Sequence, residues 1–469
     1  MPFSAPSPRR AFLKHLGLAG AGLVGSAALP SRAPAAAAIP GTAPSLPPGF
    51  NMCGYGAEPL EKVRVAILGL GMRGSSAVRR FRHLEAVEIK ALVDVRPEKV
   101  ARAKELLADT SHTPEAYHAS ESDWQRACDR DDIDLVYICT PWALHAPMAV
   151  YAMEHGKHAA IEVPAAQSLE ECWQLVETSE RTRRHCMMLE NCCYDFFELL
   201  TLNLAQQGFF GELVHGEGAY LHDLMELNFR KEGGYHEMWR LKENTRNGNL
   251  YPTHGLGPIA QIMGINRGDQ FDYLVSMSSA DFSMRARADE LAASDPFFAP
   301  HAGRSYRGNM NTTTIRTHRG RTIMLQHDVS SPRPYSRIHL VSGTKAIAQK
   351  WPQPARIAVG EKWLEPDELK ALEEKHTPEI VRRVGELARR VGGHGGMDFM
   401  MDWRLIDCLR RGLPLDQDVY DAASWSAIGL LSEASVAERS RPVDVPDFTR
   451  GAWRKNAPVN LALEVETTA

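Results

Sequence analysis

The chain has no Cys-x-x-Cys pair and no Cys/His spacing of the kind that grips a metal, although eight cysteines occur: Cys53, Cys128, Cys139, Cys172, Cys186, Cys192, Cys193 and Cys408. His236 and Glu237 also lack the spacing of a zinc helix, so no metal is expected. Long hydrophobic runs are missing too. The apolar stretch 16–29 is too short and too rich in glycine to anchor in a bilayer. Phe50-Asn51-Met52 ahead of Cys53 lacks the small-residue pattern of a lipid-attachment site, so no stable membrane anchor is expected. Nor is there an excess of one charge. A net charge of −4 over 469 residues argues against nucleic acid or an anionic membrane as partner. No internal repeat is visible, and low complexity is confined to the Ala/Pro/Ser-rich residues before Phe50.

What is present begins at residues 7–14, SPRRAFLK, where a twin arginine with a following Phe-Leu-Lys resembles the twin-arginine export signal. The apolar run and the small-residue segment 31–38 follow in the order a cleavable signal requires. The expectation is a signal over 1–40, engagement of the twin-arginine export machinery, and a periplasmic or otherwise exported mature protein. Because that route carries folded proteins, the cysteines are expected to be reduced and mostly buried.

The mature region opens with a nucleotide-binding pattern. Val63, Val65, Ile67 and Leu68 form a short strand running into Gly69-x-Gly71-x-x-Gly74, and a helix begins near Met72. Gly69 permits the tight turn, Gly71 the close approach of a pyrophosphate, and Gly74 the packing of helix on strand. The anion then sits on the free N–H groups of the helix start. Twenty residues past Gly74 the run 89–93 ends in Asp94, the place where an acid accepts ribose hydroxyls. Such an acid repels a 2′-phosphate, favouring NAD over NADP, while Arg96 is the nearby group a 2′-phosphate could use. Export and NAD sit together only if the cofactor is loaded inside and carried across. A trapped cofactor must return to its starting redox state at each turnover, which favours a net redox-neutral reaction.

The first half alternates strands (63–68, 89–93, 135–139, 159–163) with helices such as 97–108 and 147–155, the signature of a doubly wound parallel sheet. Beyond about residue 212 longer alternating runs (212–220, 311–317, 322–328, 336–341, 345–351) predict an open, mainly antiparallel sheet, closed by helices over 396–411 and 419–439. The expected fold is α/β: an N-terminal Rossmann domain (61–190, after a leader over 41–60) and a C-terminal α+β domain (191–445) with a large open sheet, ending in a tail (446–469). An open sheet face suggests a homo-oligomer.

Several motifs carry a family resemblance. The Rossmann half, Cys139-Thr140-Pro141 followed by His145, and Glu162-Val163-Pro164 resemble the Gfo/Idh/MocA oxidoreductase superfamily. More narrowly, NMCGYG (51–56), GLGMRG (69–74), EVPAA (162–166), ENCCY (190–194) and YPTHGLG (251–257) look like glycoside hydrolase family 109, which includes NAD-dependent α-N-acetylgalactosaminidases. The resemblance implies cofactor contacts from Gly69, Gly71, Met72, Arg73, Gly74, Asp94, Trp142, Leu144, His145, Glu162, Val163 and Asn191. It implies sugar contacts from Tyr220, Arg240, Tyr251, Pro252, Thr253, His254 and Tyr335. Aromatic faces suit a pyranose, and Arg240, expected in a loop with Trp239, suits hydroxyl or acetamido oxygens. Trp239, Tyr235 and Tyr273 are taken as core or rim aromatics.

The mechanism implied by the resemblance is transient oxidation at C3 of a terminal N-acetylhexosamine, elimination across C1–C2, addition of water and re-reduction. The cofactor ends as it began, and the paired carboxylates of ordinary glycosidases are not required. The superfamily's Glu-Lys-Pro lysine is absent here, since Val163 stands in its place. His254, which can titrate near neutral pH, is therefore expected to handle the C3 proton, and Tyr194 or Tyr251 the C2 proton. His254 could instead be a satisfied histidine at a helix start, and Tyr251 a packing aromatic. Two other classes fit the same features: a sugar or cyclitol oxidoreductase with retained cofactor, and a non-catalytic sugar-binding protein retaining NAD.

Overall fold

The computed structural model describes residues 50–460 and 463; the expected signal over 1–40 lies outside the described residues. A six-stranded sheet comes first: β1 (Val63–Leu68), β2 (Val87–Val93), β3 (Glu115–Tyr117), β4 (Leu135–Ile138), β5 (His158–Ile161) and β6 (Cys186–Met188). All neighbours are parallel, in the order β3-β2-β1-β4-β5-β6. The order reverses between β1 and β4, and this is the crevice where such sheets bind nucleotides. β4 and β5 are buried along their whole length, as strands covered by helices on both faces must be.

The second sheet has nine strands: β7 (Leu213–Leu221), β8 (Phe271–Ser278), β9 (Asn311–Thr317), β10 (Thr322–Asp328), β11 (Leu340–Gly343), β12 (Ala346–Gln349), β13 (Arg356–Val359), β14 (Lys362–Trp363) and β15 (Val443–Asp444). Its order is β14-β13-β12-β11-β7-β10-β9-β8-β15, antiparallel except where β10 runs beside β7. The fold is thus the α/β class expected from the sequence, with the mainly antiparallel second sheet also as expected. The strand expected over 336–341 starts only at Leu340, because Ile338 and His339 take left-handed backbone (φ 60° and 45°) that breaks the extended run.

One helix spans both sheets and a second braces the first sheet. Helix Val419–Ala437 starts at a capping box in which the Asp418 carboxylate accepts from the N–H groups of Tyr420 and Asp421. It is buried on almost every side and packs on helix Leu169–Thr182, β6 and β8. Helix Met397–Arg411 lies against β1 and helix Met72–Phe81. Its Asp402 accepts from the Arg80 Nε (2.6 Å) and the Tyr137 hydroxyl (2.8 Å), all three buried. Removing one partner of such a pair costs about 3–5 kcal/mol, because the other charge stays buried alone. The eight cysteines are free, and six are buried. No helix among the described residues is long and apolar enough to cross a membrane.

Candidate active site

The cofactor end is built from the turn after β1. Gly69 has φ +83°, and a Cβ there would stand 2.8 Å from the Cys139 backbone on β4's end; a Cβ on Gly74 would stand 1.8 Å from the Gly69 carbonyl oxygen. Both positions therefore exclude a side chain. Gly71 faces open space, at the start of a helix with no side-chain cap and no acid in its first turn. Its bare N–H groups and positive helix end leave a cradle for a diphosphate. Asp94 ends β2 and holds the turn by accepting from the Leu70 N–H (2.7 Å) and the Arg96 N–H (3.0 Å). Open glycine, uncapped helix start and strand-end carboxylate together fit NAD.

Around that cradle, the Arg73 Nε donates to the Glu162 carboxylate at 2.7 Å, joining the glycine turn to the end of β5. Arg73 also donates to Asp398 at 3.0 Å, and the Asn191 side-chain amide donates to the other Asp398 oxygen at 2.5 Å. Burial alone would raise the Asp398 carboxyl; Arg73, Arg80 and His394 outweigh it and hold it far below the usual range. Val163 is buried, whereas Met72 and Leu144 are exposed. His145 is fully buried, with Nδ1 2.7 Å from the Pro164 carbonyl oxygen and Nε2 2.8 Å from that of Thr140. Its ring braces two loops of the cleft wall.

The sugar end rests on a close approach between a helix and a strand. Helix Thr253–Met263 carries His254, and β7 carries Tyr220 near its end. A Cβ on Gly218 would stand 2.3 Å from the Gly255 carbonyl oxygen, and one on Gly255 would stand 2.2 Å from the Ala219 nitrogen. Only glycine at both sites lets the helix lie directly on the strand, which brings the Tyr220 and His254 rings to 5.4 Å. Tyr251, preceding the helix, packs 4.7 Å from Tyr220 and 4.8 Å from His254. Pro252 and Thr253 are buried beneath it.

His254 is not a passive histidine. Its Nδ1 lies 2.8 and 2.9 Å from the two oxygens of Glu190, a fully buried carboxylate just after β6. Burial pushes the Glu190 carboxyl up, but His254 and the Cys192 N–H pull harder, and it sits below the usual range. Glu190 therefore stays ionised, fixes the ring tautomer and stabilises a positive charge on it. Cys192 brings a third potential ligand atom within 4.8 Å of these two. Burial drives that thiol far above its ordinary range, so the group is a protonated thiol beside a carboxylate–imidazole dyad.

Arg240 lies over the rings of Tyr251 (4.6 Å), Trp142 (5.0 Å) and Tyr235 (5.5 Å), and among the described residues no carboxylate lies within ion-pair distance of it. Trp142 stacks on Tyr251 with an interplanar angle of 17°. It thus stands where the cofactor end meets the sugar end. Tyr335 closes the other side, 6.1 Å from Tyr220 and 5.0 Å from His222, whose Nδ1 lies 2.9 Å from the Tyr220 hydroxyl. Burial raises the Tyr220 phenol to about 12 and raises that of Tyr251 as well, so both are donors near neutral pH.

Three expectations are corrected here. Tyr194 is not brought into the cluster: in the turn Asn191–Tyr194, Asn191 faces Asp398 while the Tyr194 hydroxyl donates to Asp416 at 3.3 Å, within the buried Arg404–Asp416 pair. Trp239 and Arg240 lie on a short helix, Trp239–Glu243, not in a loop. Trp239 and Tyr235, taken as core or rim aromatics and left out of the site, join the cluster, with Trp239 5.3 Å from Trp142 and 5.2 Å from Tyr235. The sequence reading also missed Glu190, His222, His394 and Asp398. Glu190 stood inside the quoted ENCCY motif, so an unassigned acid at a strand end was its one available signal.

Comparison with known proteins bears on the family and the fold. Residues 63–190 match the model of an oxidoreductase family with an NAD-binding Rossmann fold, and residues 194–455 match that of the glycosyl hydrolase 109 C-terminal domain. An α-N-acetylgalactosaminidase of Bacteroides fragilis is 51% identical over 421 residues, covering 87% of this chain and 97% of the relative. One from Shewanella oneidensis is 46% identical over 470 residues, covering 97% and 98%. Among solved structures, levoglucosan dehydrogenase in complex with NADH aligns with a TM-score of 0.60 at 18% identity, over 82% of this chain and all of that one. Aldose-aldose oxidoreductase from Caulobacter crescentus aligns with a TM-score of 0.57 at 19% identity, over 82% and 100%. At such identity the two structures speak for the fold alone.

Proposed function

The chain belongs to glycosyl hydrolase family 109, and on that footing we propose that it removes terminal N-acetylgalactosamine from α-glycosides by an NAD-dependent route. The observation that carries the reading is the Glu190–His254 dyad under an aromatic floor next to the NAD cleft. Both nearby glutamates are already engaged, Glu162 with Arg73 and Glu190 with His254. That arrangement supports chemistry that does not need a free pair of carboxylates across the glycosidic bond.

NAD, when bound, supplies an acceptor and then a donor of hydride at a sugar carbon, and so is not consumed. Gly71, Arg73, Asp94, Glu162 and Asn191 would hold it. On the sugar side, Nε2 of His254 is the ring nitrogen left over by Glu190, so it can take the proton of a sugar hydroxyl while Glu190 stabilises the resulting imidazolium. Tyr251 is the tyrosine beside it that we assign to the C2 proton; burial raises its phenol, and Arg240 over its ring counters only part of that rise. The Tyr220, Tyr251 and Trp142 faces offer apolar contact to the pyranose, and Arg240 offers N–H donors to hydroxyl or acetamido oxygens.

We further propose that the enzyme works after export, on the strength of residues 7–14, with NAD loaded before translocation. The test is hydrolysis of p-nitrophenyl α- and β-N-acetylgalactosaminides in D₂O. Nitrophenol release from the α-anomer with deuterium at C2 of the sugar is expected. Release without deuterium would overturn the route, and a keto-sugar or lactone product would assign the chain to sugar oxidoreduction instead.

A further inference from the structure

Residues 392–396, Gly-Gly-His-Gly-Gly, all have positive φ: 89°, 85°, 46°, 75° and 109°. Four glycines adopt this backbone readily, but His394 does so against its own preference. The surroundings fix the shape. A Cβ on Gly393 would stand 2.7 Å from the Asp398 Cβ, and one on Gly396 would stand 2.8 Å from the Ala388 backbone. The result is an imidazole whose Nδ1 lies 2.9 and 3.1 Å from the two Asp398 oxygens, with the Arg73 Nη1 3.3 Å away on the same nitrogen.

Nδ1 cannot donate to Asp398 and accept from Arg73 at once. The shorter contact to a buried carboxylate takes its proton, which leaves Nε2 with a lone pair and, among the described residues, no partner. The His394 side chain is 58% exposed, beside the arginine of the glycine turn. A solvated surface histidine needs neither the left-handed run nor the Asp398 anchor.

We propose that His394 is a cofactor contact: Asp398 holds the imidazole so that Nε2 accepts a hydrogen bond from a ribose hydroxyl of the NAD bound at Gly71–Arg73. This rests on the NAD-binding half of the chain and not on the glycosidase reading.

The test is NAD release from the full-length holoenzyme, followed by trapping the freed cofactor with an excess of a second dehydrogenase. His394→Ala is expected to release NAD about three- to tenfold faster, the range given by one lost neutral hydrogen bond. His394→Gln, whose amide oxygen can also accept, is expected to stay within about twofold of the parent. The melting temperature of each cofactor-free variant is measured alongside. Unchanged release from His394→Ala overturns the proposal, with or without a lower melting temperature. Equal acceleration in both variants overturns it too, since the loop would then serve as scaffold and not as acceptor.

Discussion

Glu190→Gln isolates the charge of the dyad while keeping its volume and a hydrogen-bonding end group. In the parent, a fully buried carboxylate stands 2.8 Å from the His254 Nδ1. Taking about 4 Å between charge centres and an effective dielectric of about 20, the attraction between this carboxylate and an imidazolium formed during the reaction is about 4 kcal/mol. If His254 becomes cationic in the transition state, losing that term lowers kcat by about a thousandfold, at about 1.4 kcal/mol per decade. If Glu190 merely orients a ring that stays neutral, glutamine replaces one hydrogen bond by another. The loss is then about 1 kcal/mol, or less than tenfold. The assay is the initial rate of p-nitrophenyl α-N-acetylgalactosaminide hydrolysis across pH, with bound NAD quantified in both proteins. A thousandfold fall in kcat with NAD content and KM little changed is expected. A fall under tenfold with the parental pH profile would refute the charge argument and leave His254 a neutral hydrogen-bonding group.

Gly71→Ala should leave the melting temperature unchanged, since open space receives the methyl, yet the purified protein should carry little NAD, read from its absorbance after acid extraction. Gly74→Ala should instead lower the melting temperature by several degrees, because its Cβ meets the Gly69 carbonyl at 1.8 Å. Tyr251→Phe should slow C2 deuterium incorporation by tenfold or more, while Tyr194→Phe should leave it unchanged, with about 1 kcal/mol lost in urea denaturation from the hydroxyl on Asp416. His185 is buried beside His158, and burial lowers it to about 4, so the folded state binds its proton less readily than the unfolded chain. The stability it contributes is complete above about pH 6.5 and is lost as pH falls toward 4. His185→Gln should therefore flatten the pH dependence of unfolding free energy by about 1.4 kcal/mol per pH unit in that window.

Much of the fold was legible because its punctuation is local. β1 runs into Gly69, β2 into Asp94, and the helix at Met72 starts where the glycine pattern predicts, since turn and helix-start chemistry act over a few residues. The strand at 336–341 was over-read because the left-handed backbone at Ile338 and His339 falls on residues whose side chains give no warning. Within the site, the aromatic and histidine positions follow from their motifs, but their partners do not. His254 meets Glu190 across 64 residues, and Arg73 meets Asp398 across 325. Such pairings depend on how two sheets are joined by helices, and no spacing rule reaches that far. Tyr194 failed for a similar reason, since a four-residue turn sends neighbouring side chains to opposite sides.

The buried join of Arg80 and Tyr137 to Asp402 bears on recombination. A chimera that took its first 190 residues from one relative and the rest from another would carry a breakpoint through this triad without touching any residue of the glycine turn. Where the donor lacks an acid at position 402, the transplanted arginine would keep only its longer pairing with Asp398 at 3.5 Å, and the hybrid would lose stability before it could be judged as a catalyst. In this chain the glycine turn's helix and the distant helix that neutralises it form one unit, which a breakpoint between them would divide.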